Sequence, residues 1–449
     1  MKAGKKGVRD IALDIIESVE KNQSYSNLLI NSMISKHQLS AADSGLLTEI
    51  TYGTIQRKMT LDFYLKPFVK DPKKTMSWVM NLLRLSLYQM VYLDKVPDHA
   101  ILFEAVEIAK KRGHKGITSM VNGVLRNIQR KGIPSLDSIE DKAERLAIAT
   151  SHPLWLVQRW VEQYGFTKTE EMCQINLTAP LQTARVNLKK MTRNELVSAL
   201  TEEGFKVEKS KIVPEAIHSL GGNLAHSESF KMGFMTIQDE SSMLVAHALG
   251  ASENDMVLDC CAAPGGKTTH IAEGLTYGQV TALDLHEHKV KLIDETAKRL
   301  GLRNIKTLTS DSRKAGEHFH NEGFDRILVD APCSGLGVMR RKPDVKYTKS
   351  KDDIIKLSSI QQELLAAAAP LLKKGGTLVY STCTVDREEN DKVAEAFLNN
   401  HPEFEADHTL EDRIPLEIRN YVEGNKLQIF PQYFGSDGFF IASFRKKVQ

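Results

Sequence analysis

The chain has 449 residues, of which 41% are hydrophobic and 26% are charged, and its formal net charge at pH 7 is +3. These proportions are those of an ordinary globular protein, and they exclude a fibrous chain or one that is disordered throughout. At about 150 residues per domain, a chain of this length is expected to form two or three domains.

An apolar run extends from Trp78 to Leu93. It is interrupted by Asn81, Arg84 and Gln89, and it is shorter than the roughly 20 residues that cross a bilayer, so it is predicted to be a core helix. The basic N-terminus leads into an amphipathic segment and lacks the pattern of a signal peptide. We therefore expect a cytoplasmic protein without membrane association, whose five cysteines are reduced thiols.

The first part of the chain, from Val8 to Gln129, has apolar residues at three- and four-residue spacings, as in Ile11 and Ile15. This periodicity is typical of amphipathic helices, and no alternating strand pattern of any length accompanies it. Gly and Pro in residues 131–135 stop the last helix. We predict an all-α domain over residues 1–132.

Residues 133–236 show a mixed pattern, and we predict a small α+β module that links two domains or binds RNA. The module lacks the run of aromatic residues by which an RNA-recognition sheet would be known. Its predicted elements are a helix at Leu154–Tyr164, a strand at Thr183–Asn187, a helix at Thr192–Glu203 capped by Thr192, and a strand at Phe205–Glu208.

From residue 237 to residue 449, predicted strands and helices alternate, which is the signature of a parallel sheet with helices on both faces. We predict an α/β Rossmann-like domain with a mostly parallel, doubly wound sheet and an antiparallel pair of strands at its edge. The strands are predicted at Met256–Cys260, Val280–Leu285, Ile305–Thr309, Arg326–Asp330, Thr377–Ser381, Leu427–Phe430 and Gly438–Phe444, and helices at Glu287–Leu300, Asp353–Leu372 and Asp386–Leu398.

A glycine-rich loop follows the first strand of this domain, in the sequence Val257-Leu-Asp-Cys-Cys-Ala-Ala-Pro-Gly-Gly-Lys-Thr268. A tight Gly turn between a strand and a helix lets the backbone approach a ligand, and the first helical turn offers free N–H groups. The segment is not a phosphate loop, because that motif requires Gly where Cys261 stands. A dinucleotide-binding G-x-G-x-x-G is also absent, so we expect a different ligand.

Acidic residues end four successive predicted strands: Asp259, Asp284, Asp311 and Asp330. Each one alone is more often a helix cap, but four in register suit a ligand that is rich in hydroxyl and amine donors. Asp284 would accept hydrogen bonds from ribose hydroxyls, and Asp311 would lie near an adenine amino group. S-adenosylmethionine, which has a cationic centre and no phosphate, fits this pattern best.

Two cysteines follow neighbouring predicted strands, Cys333 after Asp330-Ala-Pro and Cys383 after Tyr380-Ser-Thr. Taken alone, Cys333 on its stiff proline turn is either a nucleophile or a buried structural cysteine. Two thiols beside a methyl donor indicate a substrate carbon that must be activated, such as C5 of cytosine, and thiolate addition to C6 activates it. Asp330 would neutralise charge near N3. A catalytic disulfide is the alternative use of two thiols, but a C-x-x-C motif is lacking.

Two other charged patterns occur. Basic clusters at Lys110–Arg112, Lys189–Lys190 and Arg340–Lys342 are compatible with a surface that contacts phosphates. His286 and His288 flank Glu287 and superficially resemble a metal site, but we interpret them as a solvated helix start. The sequence therefore predicts no metal site.

Three motifs resemble the signature set of the RNA cytosine-C5 methyltransferases of the NOL1/NOP2/Sun, or Fmu, family. They are Asp-Cys-Cys-Ala-Ala-Pro-Gly-Gly-Lys at 259–267, Asp-Ala-Pro-Cys-Ser-Gly at 330–335 and Ser-Thr-Cys-Thr at 381–384. The resemblance implies that Cys383 is the nucleophile, that Cys333 helps to release the product, and that Asp330 binds and activates the base. It also implies an S-adenosylmethionine pocket formed by Cys261, Ala262, Ala263, Pro264, Gly265, Gly266, Lys267, Asp284, Asp311 and Asp330.

The helical N-terminal domain resembles the RNA-binding antitermination factor NusB, in segments that include Val96-Pro97, Glu104-Ala-Val106 and Val121-Asn-Gly-Val-Leu-Arg126. The combination of the two resemblances implies a monomer that methylates 16S ribosomal RNA, with ribosomal proteins of the assembling small subunit as candidate partners. The alternatives are methylation of another RNA such as tRNA or 23S rRNA, methylation of DNA, in which a Pro-Cys thiol is the nucleophile, and a non-catalytic antitermination-type RNA-binding protein.

Overall fold

The computed structural model describes residues 6–22 and 26–448, so the first five residues of the predicted N-terminal domain, residues 23–25 and Gln449 lie outside the described residues. The chain forms two compact units. The first contains the residues up to Ala179 together with Met339–Thr348, and the second contains Pro180–Val338 and Lys349–Gln449. Over the part of the chain that the structure describes, no helix combines the length and the apolar character needed to cross a membrane.

The first unit is built from helices, as the apolar spacing predicts. Ile11 and Ile15 lie one turn apart and are both fully buried, and they join one apolar core with Leu47, Leu83 and Leu125. The all-α N-terminal domain is therefore confirmed. The helices span Val8–Asn22, Ser26–His37, Ala41–Gln56, Lys58–Leu65, Ser77–Tyr92, Asp98–Arg112, Lys115–Lys131, Lys142–Thr150, Leu154–Tyr164 and Phe166–Ile175, with a short 3₁₀ turn at Leu136–Ser138.

Ten residues from the C-terminal half of the sequence, Met339–Thr348, complete this first unit and include a one-turn helix at Val345–Thr348. Lys346 is buried and donates a hydrogen bond from Nζ to the backbone oxygen of Gln56 at 2.7 Å. The Tyr347 hydroxyl donates to the same oxygen at 3.1 Å and lies 2.8 Å from Oγ of Ser151. Burial lowers the pKa of Lys346 to about 7. This segment therefore supplies polar partners that the rest of the unit lacks.

A small antiparallel sheet of four strands begins the second unit. Its strand order is β2-β3-β1-β4, with β1 at Gln182–Val186, β2 at Lys206–Lys209, β3 at Ala216–Gly221 and β4 at Met235–Ile237. The helix Arg193–Glu202 packs on the sheet, and Thr192 and Glu195 form a capping box at its start. This sheet confirms the small α+β module.

A nine-stranded mixed sheet forms the rest of the second unit. Five strands are parallel neighbours in the order β9-β8-β5-β6-β7, and antiparallel strands extend the sheet beyond β9 in the order β13-β12-β11, with β10 also paired to β13. The strands are β5 (Met256–Asp259), β6 (Gln279–Asp284), β7 (Ile305–Thr309), β8 (Phe324–Asp330), β9 (Leu372–Thr382), β10 (Phe404–Ala406), β11 (Val422–Glu423), β12 (Lys426–Ile429) and β13 (Phe439–Lys446).

Helices cover this sheet and connect its parallel strands. The long ones span Glu240–Leu249, Gly266–Gly274, Glu287–Leu300, Lys351–Ala368 and Asp391–Asn400, and single turns lie at Glu228–Lys231, Leu410–Arg413 and Pro431–Phe434. The Rossmann-like fold class is confirmed. Its antiparallel part is larger than predicted, because β10 and β11 join the predicted edge pair β12 and β13.

One predicted helix begins at the wrong residue. The helix expected at Asp386–Leu398 begins at Asp391, and residues 385–390 form a loop whose polar side chains Asp386, Glu389 and Asn390 are buried. Glu389 accepts a hydrogen bond from Ser334 and Asn390 accepts one from Thr382, whereas Asp386 accepts one locally from the backbone N–H of Glu388. Helical spacing in the sequence therefore does not determine where this helix begins.

Candidate active site

The two cysteines of the predicted site lie side by side. The strands β8 and β9 are parallel neighbours with Asp330 in register with Ser381, so the residues that follow each strand meet at one edge of the sheet. The Sγ atoms of Cys333 and Cys383 are 3.3 Å apart. Both side chains are partly buried. The thiols are thus brought together although 50 residues separate them in the sequence.

Asp330 is held from both sides of its carboxylate. Oδ2 accepts a hydrogen bond from Nζ of Lys267 at 2.8 Å, and Oδ1 accepts one from Oγ of Ser381 at 2.8 Å. Burial alone would lower the pKa of Lys267, but the charge and hydrogen bond of Asp330 outweigh it and raise this pKa. The Lys267 ammonium also lies 5.0 Å from the centre of the Phe439 ring. Lys267 is therefore a fixed cation beside the Asp330 carboxylate.

The predicted cofactor loop, residues 261–267, connects β5 to the helix Gly266–Gly274. The N–H of Ala262 donates to the carbonyl of Leu283 at 2.8 Å, which ties the loop to the end of β6. Gly265 has φ of +100°, and a Cβ there would lie 3.2 Å from Cα of Ile293. Only glycine fits this close approach without strain.

The four strand-end aspartates differ in their surroundings. Asp259 is buried, and Oδ2 accepts a hydrogen bond from Oγ1 of Thr268 at 2.7 Å; burial and the nearby Asp330 raise its pKa to about 7. Asp284 lies at the end of β6 and accepts from the backbone N–H of His286 at 3.1 Å. Asp259 and Asp284 are both buried at the ends of their strands, and the ribose contact of Asp284 stays a prediction.

Asp311 follows β7 and caps a short 3₁₀ helix. Its carboxylate binds the Arg313 guanidinium, with Oδ2 2.7 Å from Nη2, and this hydrogen bond lowers the pKa of Asp311. Arg313 is also 3.0 Å from Glu363. An adenine amino group would therefore compete with Arg313 for the Asp311 carboxylate.

A buried polar network that sequence reasoning missed joins the two cysteine loops. Ser334 and Thr384, the residues that follow the two cysteines, have their hydroxyl oxygens 2.9 Å apart. Glu389 accepts hydrogen bonds from the backbone N–H of Ser334 at 2.8 Å, from its hydroxyl, and from Nε2 of Gln361 at 3.1 Å. The only signal in the sequence is the polar run Asp386–Asn390, which a helical pattern obscures.

This network and the burial of the site shift two further pKa values. The hydrogen bond that the Cys333 thiol donates to Cys383, together with burial, raises the pKa of Cys333 well above that of an ordinary thiol. Burial raises the pKa of Glu389 to about 7, although the hydrogen bonds from Ser334 oppose the shift. Cys333 is therefore held in its thiol form at neutral pH.

Cations of the first two basic clusters make contacts within the protein. Lys111 and Arg112 are paired with acidic side chains of the helix Val8–Asn22, with Lys111 2.8 Å from Asp10 and Arg112 2.6 Å from Asp14. In the second cluster, Lys189 donates to the backbone carbonyl of Leu275 at 2.7 Å. These cations therefore already have partners in the protein, and the phosphate-contacting surface stays a prediction.

The parallel sheet, the glycine loop and the strand-end carboxylates define a Rossmann-like methyltransferase domain. Three family models match the chain: 16S rRNA methyltransferase RsmB/F over residues 246–445, the NusB family over 6–130, and an RsmF/B-like ferredoxin-like domain over 152–221. A probable ribosomal RNA small subunit methyltransferase B of Bacillus subtilis is 58% identical over 444 residues, which is 99% of each chain. The chain therefore belongs to the ribosomal RNA small subunit methyltransferase B family, and it is an RNA methyltransferase.

Other relatives agree with this assignment. The ribosomal RNA small subunit methyltransferase B of Yersinia pestis is 32% identical and is matched over 98% of this chain and 99% of its own. Among solved structures, that of PH0851 superposes with a TM-score of 0.83 at 28% identity and covers 99% of this chain and 100% of its own. NSun6 from Pyrococcus horikoshii, solved with SFG, has a TM-score of 0.57 at 22% identity over 65% of this chain and 97% of its own, and it shares the fold.

Proposed function

We propose that this protein methylates C5 of a cytosine in 16S ribosomal RNA, with S-adenosylmethionine as the methyl donor. The proximity of the two thiols, 3.3 Å apart beside the Lys267–Asp330 pair, carries the proposal, because methylation of a poorly nucleophilic pyrimidine carbon needs a thiolate. The target is the cytosine at position 967, as the family resemblance implies. We also propose that the protein acts in the cytoplasm and as a monomer.

The cofactor pocket consists of residues 261–267 with Asp284, Asp311 and Asp330. The donor set fits S-adenosylmethionine, since carboxylates at successive strand ends accept hydrogen bonds from hydroxyl and amine groups, and Gly265 allows close backbone approach. When bound, this cofactor supplies an electrophilic methyl group on a sulfonium centre. The NSun6 structure with SFG, in a protein of the same fold, supports this choice.

Cys383 attacks the base. Its thiolate forms a bond to C6 of the cytosine, which turns C5 into an enamine carbon that can take up the methyl group. Asp330, with Lys267 as its charged neighbour, is our candidate for the group beside N3 that neutralises the charge developing on the ring. The raised pKa of Cys333 supports Cys383 as the nucleophile, because a thiol that holds its proton is a poor attacking group.

Cys333 assists product release. After methyl transfer, a base removes the C5 proton, the electrons of that C–H bond re-form the C5–C6 double bond, and the bond between Cys383 sulfur and C6 breaks. Cys333 is our candidate for assisting the cleavage of the bond between sulfur and C6, since its thiol lies 3.3 Å from the Cys383 sulfur and can donate its proton to the departing thiolate. The network of Ser334, Thr384 and Glu389 holds both loops in place during these steps.

The roles of the two cysteines can be separated by trapping the covalent intermediate. Full-length Cys383→Ala and Cys333→Ala proteins are incubated with 16S RNA and S-adenosylmethionine, and protein–RNA adducts that resist denaturant are resolved by electrophoresis. We expect Cys383→Ala to give neither product nor adduct, and Cys333→Ala to accumulate adduct because release is blocked. Cys173→Ala is the matched control, since Cys173 is buried in the first unit.

The opposite pattern, adduct in Cys383→Ala and none in Cys333→Ala, would make Cys333 the nucleophile. In the same assay, competition between RNA substrates distinguishes the alternative functions. Methyl incorporation into tRNA or 23S RNA in preference to 16S RNA would contradict the proposed substrate. A wild-type protein that binds RNA without incorporating methyl groups would contradict catalysis altogether.

A further inference from the structure

Two histidines and a glutamate from three separate segments of the second unit converge on one point. Glu215 precedes β3, His247 lies on the helix Glu240–Leu249, and His270 lies on the helix Gly266–Gly274. Nε2 of His247 is 2.8 Å and Nε2 of His270 is 3.1 Å from the same carboxylate oxygen, Oε1 of Glu215. In the described ranges, this is the one group of at least three such residues whose candidate ligand atoms lie within 4.8 Å of one another.

The surroundings of this cluster leave its negative charge available to a cation. Arg185, the nearest buried cation, is engaged elsewhere: its Nη2 is 2.7 Å from Oε1 of Glu273, and its Nη1 donates to the carbonyl of Gly266 at 2.8 Å. Its charge is therefore compensated by Glu273 and does not compete for Glu215.

The cluster also opens onto space for further ligands. A cavity of about 220 Å³ is lined by Glu215, His247 and His270 together with apolar groups such as Val186 and Ile271. A water molecule in such a space can complete the coordination of a metal ion. Nδ1 of His270 is buried and has no hydrogen-bond partner among the described residues, and it would carry the imidazole proton when Nε2 binds an ion.

We propose that Glu215, His247 and His270 bind one Zn²⁺ ion, with water from the cavity completing a tetrahedral shell. Two imidazole nitrogens and one carboxylate oxygen are a donor set that zinc prefers, at distances of about 2.0–2.2 Å. The two imidazole nitrogens and the carboxylate oxygen already face one another. Only the shared oxygen Oε1 has to move to admit the ion. The site is separate from the thiol pair, and it goes beyond the methyl-transfer proposal.

The ion would have a structural role. It joins the residue before β3, in the small sheet, to the helix whose first turn carries Lys267 and the cofactor loop. Three segments that are distant in sequence would then be fixed by bonds to one centre. Because the ion binds the folded chain and not the unfolded one, its binding stabilises the second unit.

The test uses the full-length protein, freed of metal with a chelator and titrated with Zn²⁺ or with Co²⁺ as a spectroscopic probe. We expect one equivalent of Co²⁺ to produce the visible absorption of a four-coordinate site, and Zn²⁺ to displace it and to raise the melting temperature. His247→Gln and His270→Gln should weaken binding by at least about tenfold each, as the loss of one ligand predicts. The matched control is the double variant His286→Gln/His288→Gln, since these two stacked histidines are exposed.

The proposal would be overturned if saturable metal binding survived in His247→Gln and His270→Gln but disappeared in the His286/His288 control. It would also be overturned if the wild type showed no saturable binding. Glu215→Gln guards against misfolding of a histidine variant, since glutamine keeps the size and one accepting oxygen while removing the charge. Circular dichroism checks that each variant is folded. None of these readouts requires methylation, so failure of the metal site and failure of the proposed reaction are distinguishable.

Discussion

Glu389 receives three hydrogen bonds in a buried environment, two from Ser334 and one from Gln361. Ser334 is the neighbour of Cys333, so the glutamate fixes the loop that carries one of the two thiols. Its pKa is raised to about 7 by burial. The Glu389 carboxyl group therefore fixes the loop and makes the stability of the protein depend on pH.

The pH dependence has a definite sign. The folded protein holds a proton on Glu389 up to about pH 7, whereas the unfolded chain releases it near its ordinary value of 4.5. Between these values the folded state binds more protons, so the contribution of Glu389 to stability is fully present below about pH 4.5 and is lost as the pH rises through about 7. The full shift corresponds to roughly 3 kcal/mol, at about 1.4 kcal/mol per pKa unit.

We therefore expect the Glu389→Gln variant to lose less stability than the wild type between about pH 5 and pH 8. Asp259, whose pKa is also raised to about 7, contributes a parallel effect that the variant retains. The measurement is the free energy of unfolding in urea at several pH values. Glu403→Gln is the control, because Glu403 is exposed. Equal slopes in wild type and Glu389→Gln would contradict the prediction.

At the scale of elements, three segments meet at Gly337. Its N–H donates to the carbonyl of Cys383 at 3.0 Å, and its own carbonyl accepts from Gly438 at 2.8 Å. A Cβ at this position would lie 2.0 Å from the carbonyl oxygen of Gly438 and 2.9 Å from that of Cys383. Glycine is therefore required where the Cys333 loop crosses the end of β9 and the start of β13.

Gly337→Ala should destabilise the protein by about 1–3 kcal/mol, the usual cost of overpacking, and should move the two cysteine loops apart. We expect a loss of methylation larger than the loss of folded protein, measured as turnover per folded molecule. Gly316→Ala is the matched control, since nothing lies within 4 Å of a Cβ there. If Gly337→Ala methylates 16S RNA as fast as Gly316→Ala, the close contact has no role in the site.

The elements that could be predicted are those with a strong local pattern. Strand β7 and the helix Glu287–Leu300 have the predicted bounds, because apolar alternation and amphipathic spacing persist over their whole length. The short strands β10 and β11 have three and two residues and carry no periodicity, so they were missed. The loop at residues 385–390 was predicted as helix because its burial comes from tertiary partners.

The candidate site likewise has features that the sequence predicts and features that it does not. That Cys333 and Cys383 meet follows from parallel strands whose ends share one edge of the sheet, which the motifs already indicate. The attachment of Arg313 to Asp311 and the role of Glu389 depend on side-chain directions that no spacing encodes. The cluster of Glu215, His247 and His270 was missed for the same reason, since its members are far apart in sequence.

At the scale of the whole molecule, the first unit is completed by Met339–Thr348. Lys346 and Tyr347 both donate to the carbonyl of Gln56, and Arg340 donates to the carbonyl of Thr178. A fragment that ends at Ala179 would leave these backbone oxygens without their partners. Thr178 is exposed, so water can replace Arg340 there, but at the half-buried Gln56 an acceptor without a partner costs about 1–3 kcal/mol.

We expect the fragment 1–179 to unfold at a lower urea concentration than the first unit in the intact chain, where hydrogen exchange reports its stability. A synthetic peptide of residues 339–348 should raise the midpoint in proportion to its concentration, since it binds only the folded fragment. The same peptide with its sequence scrambled is the control. A fragment as stable as the intact unit, and indifferent to the peptide, would show that the segment contributes nothing to it.

The path of the chain through Met339–Thr348 has an evolutionary consequence. Joining two genes end to end yields a protein in which each ancestral part occupies one continuous stretch, and either part can be exchanged by recombination at a single junction. Here ten residues encoded within the catalytic half belong structurally to the other half. A recombination event near residue 179 would therefore transfer an incomplete helical unit, and a functional chimera has to inherit both stretches from the same parent.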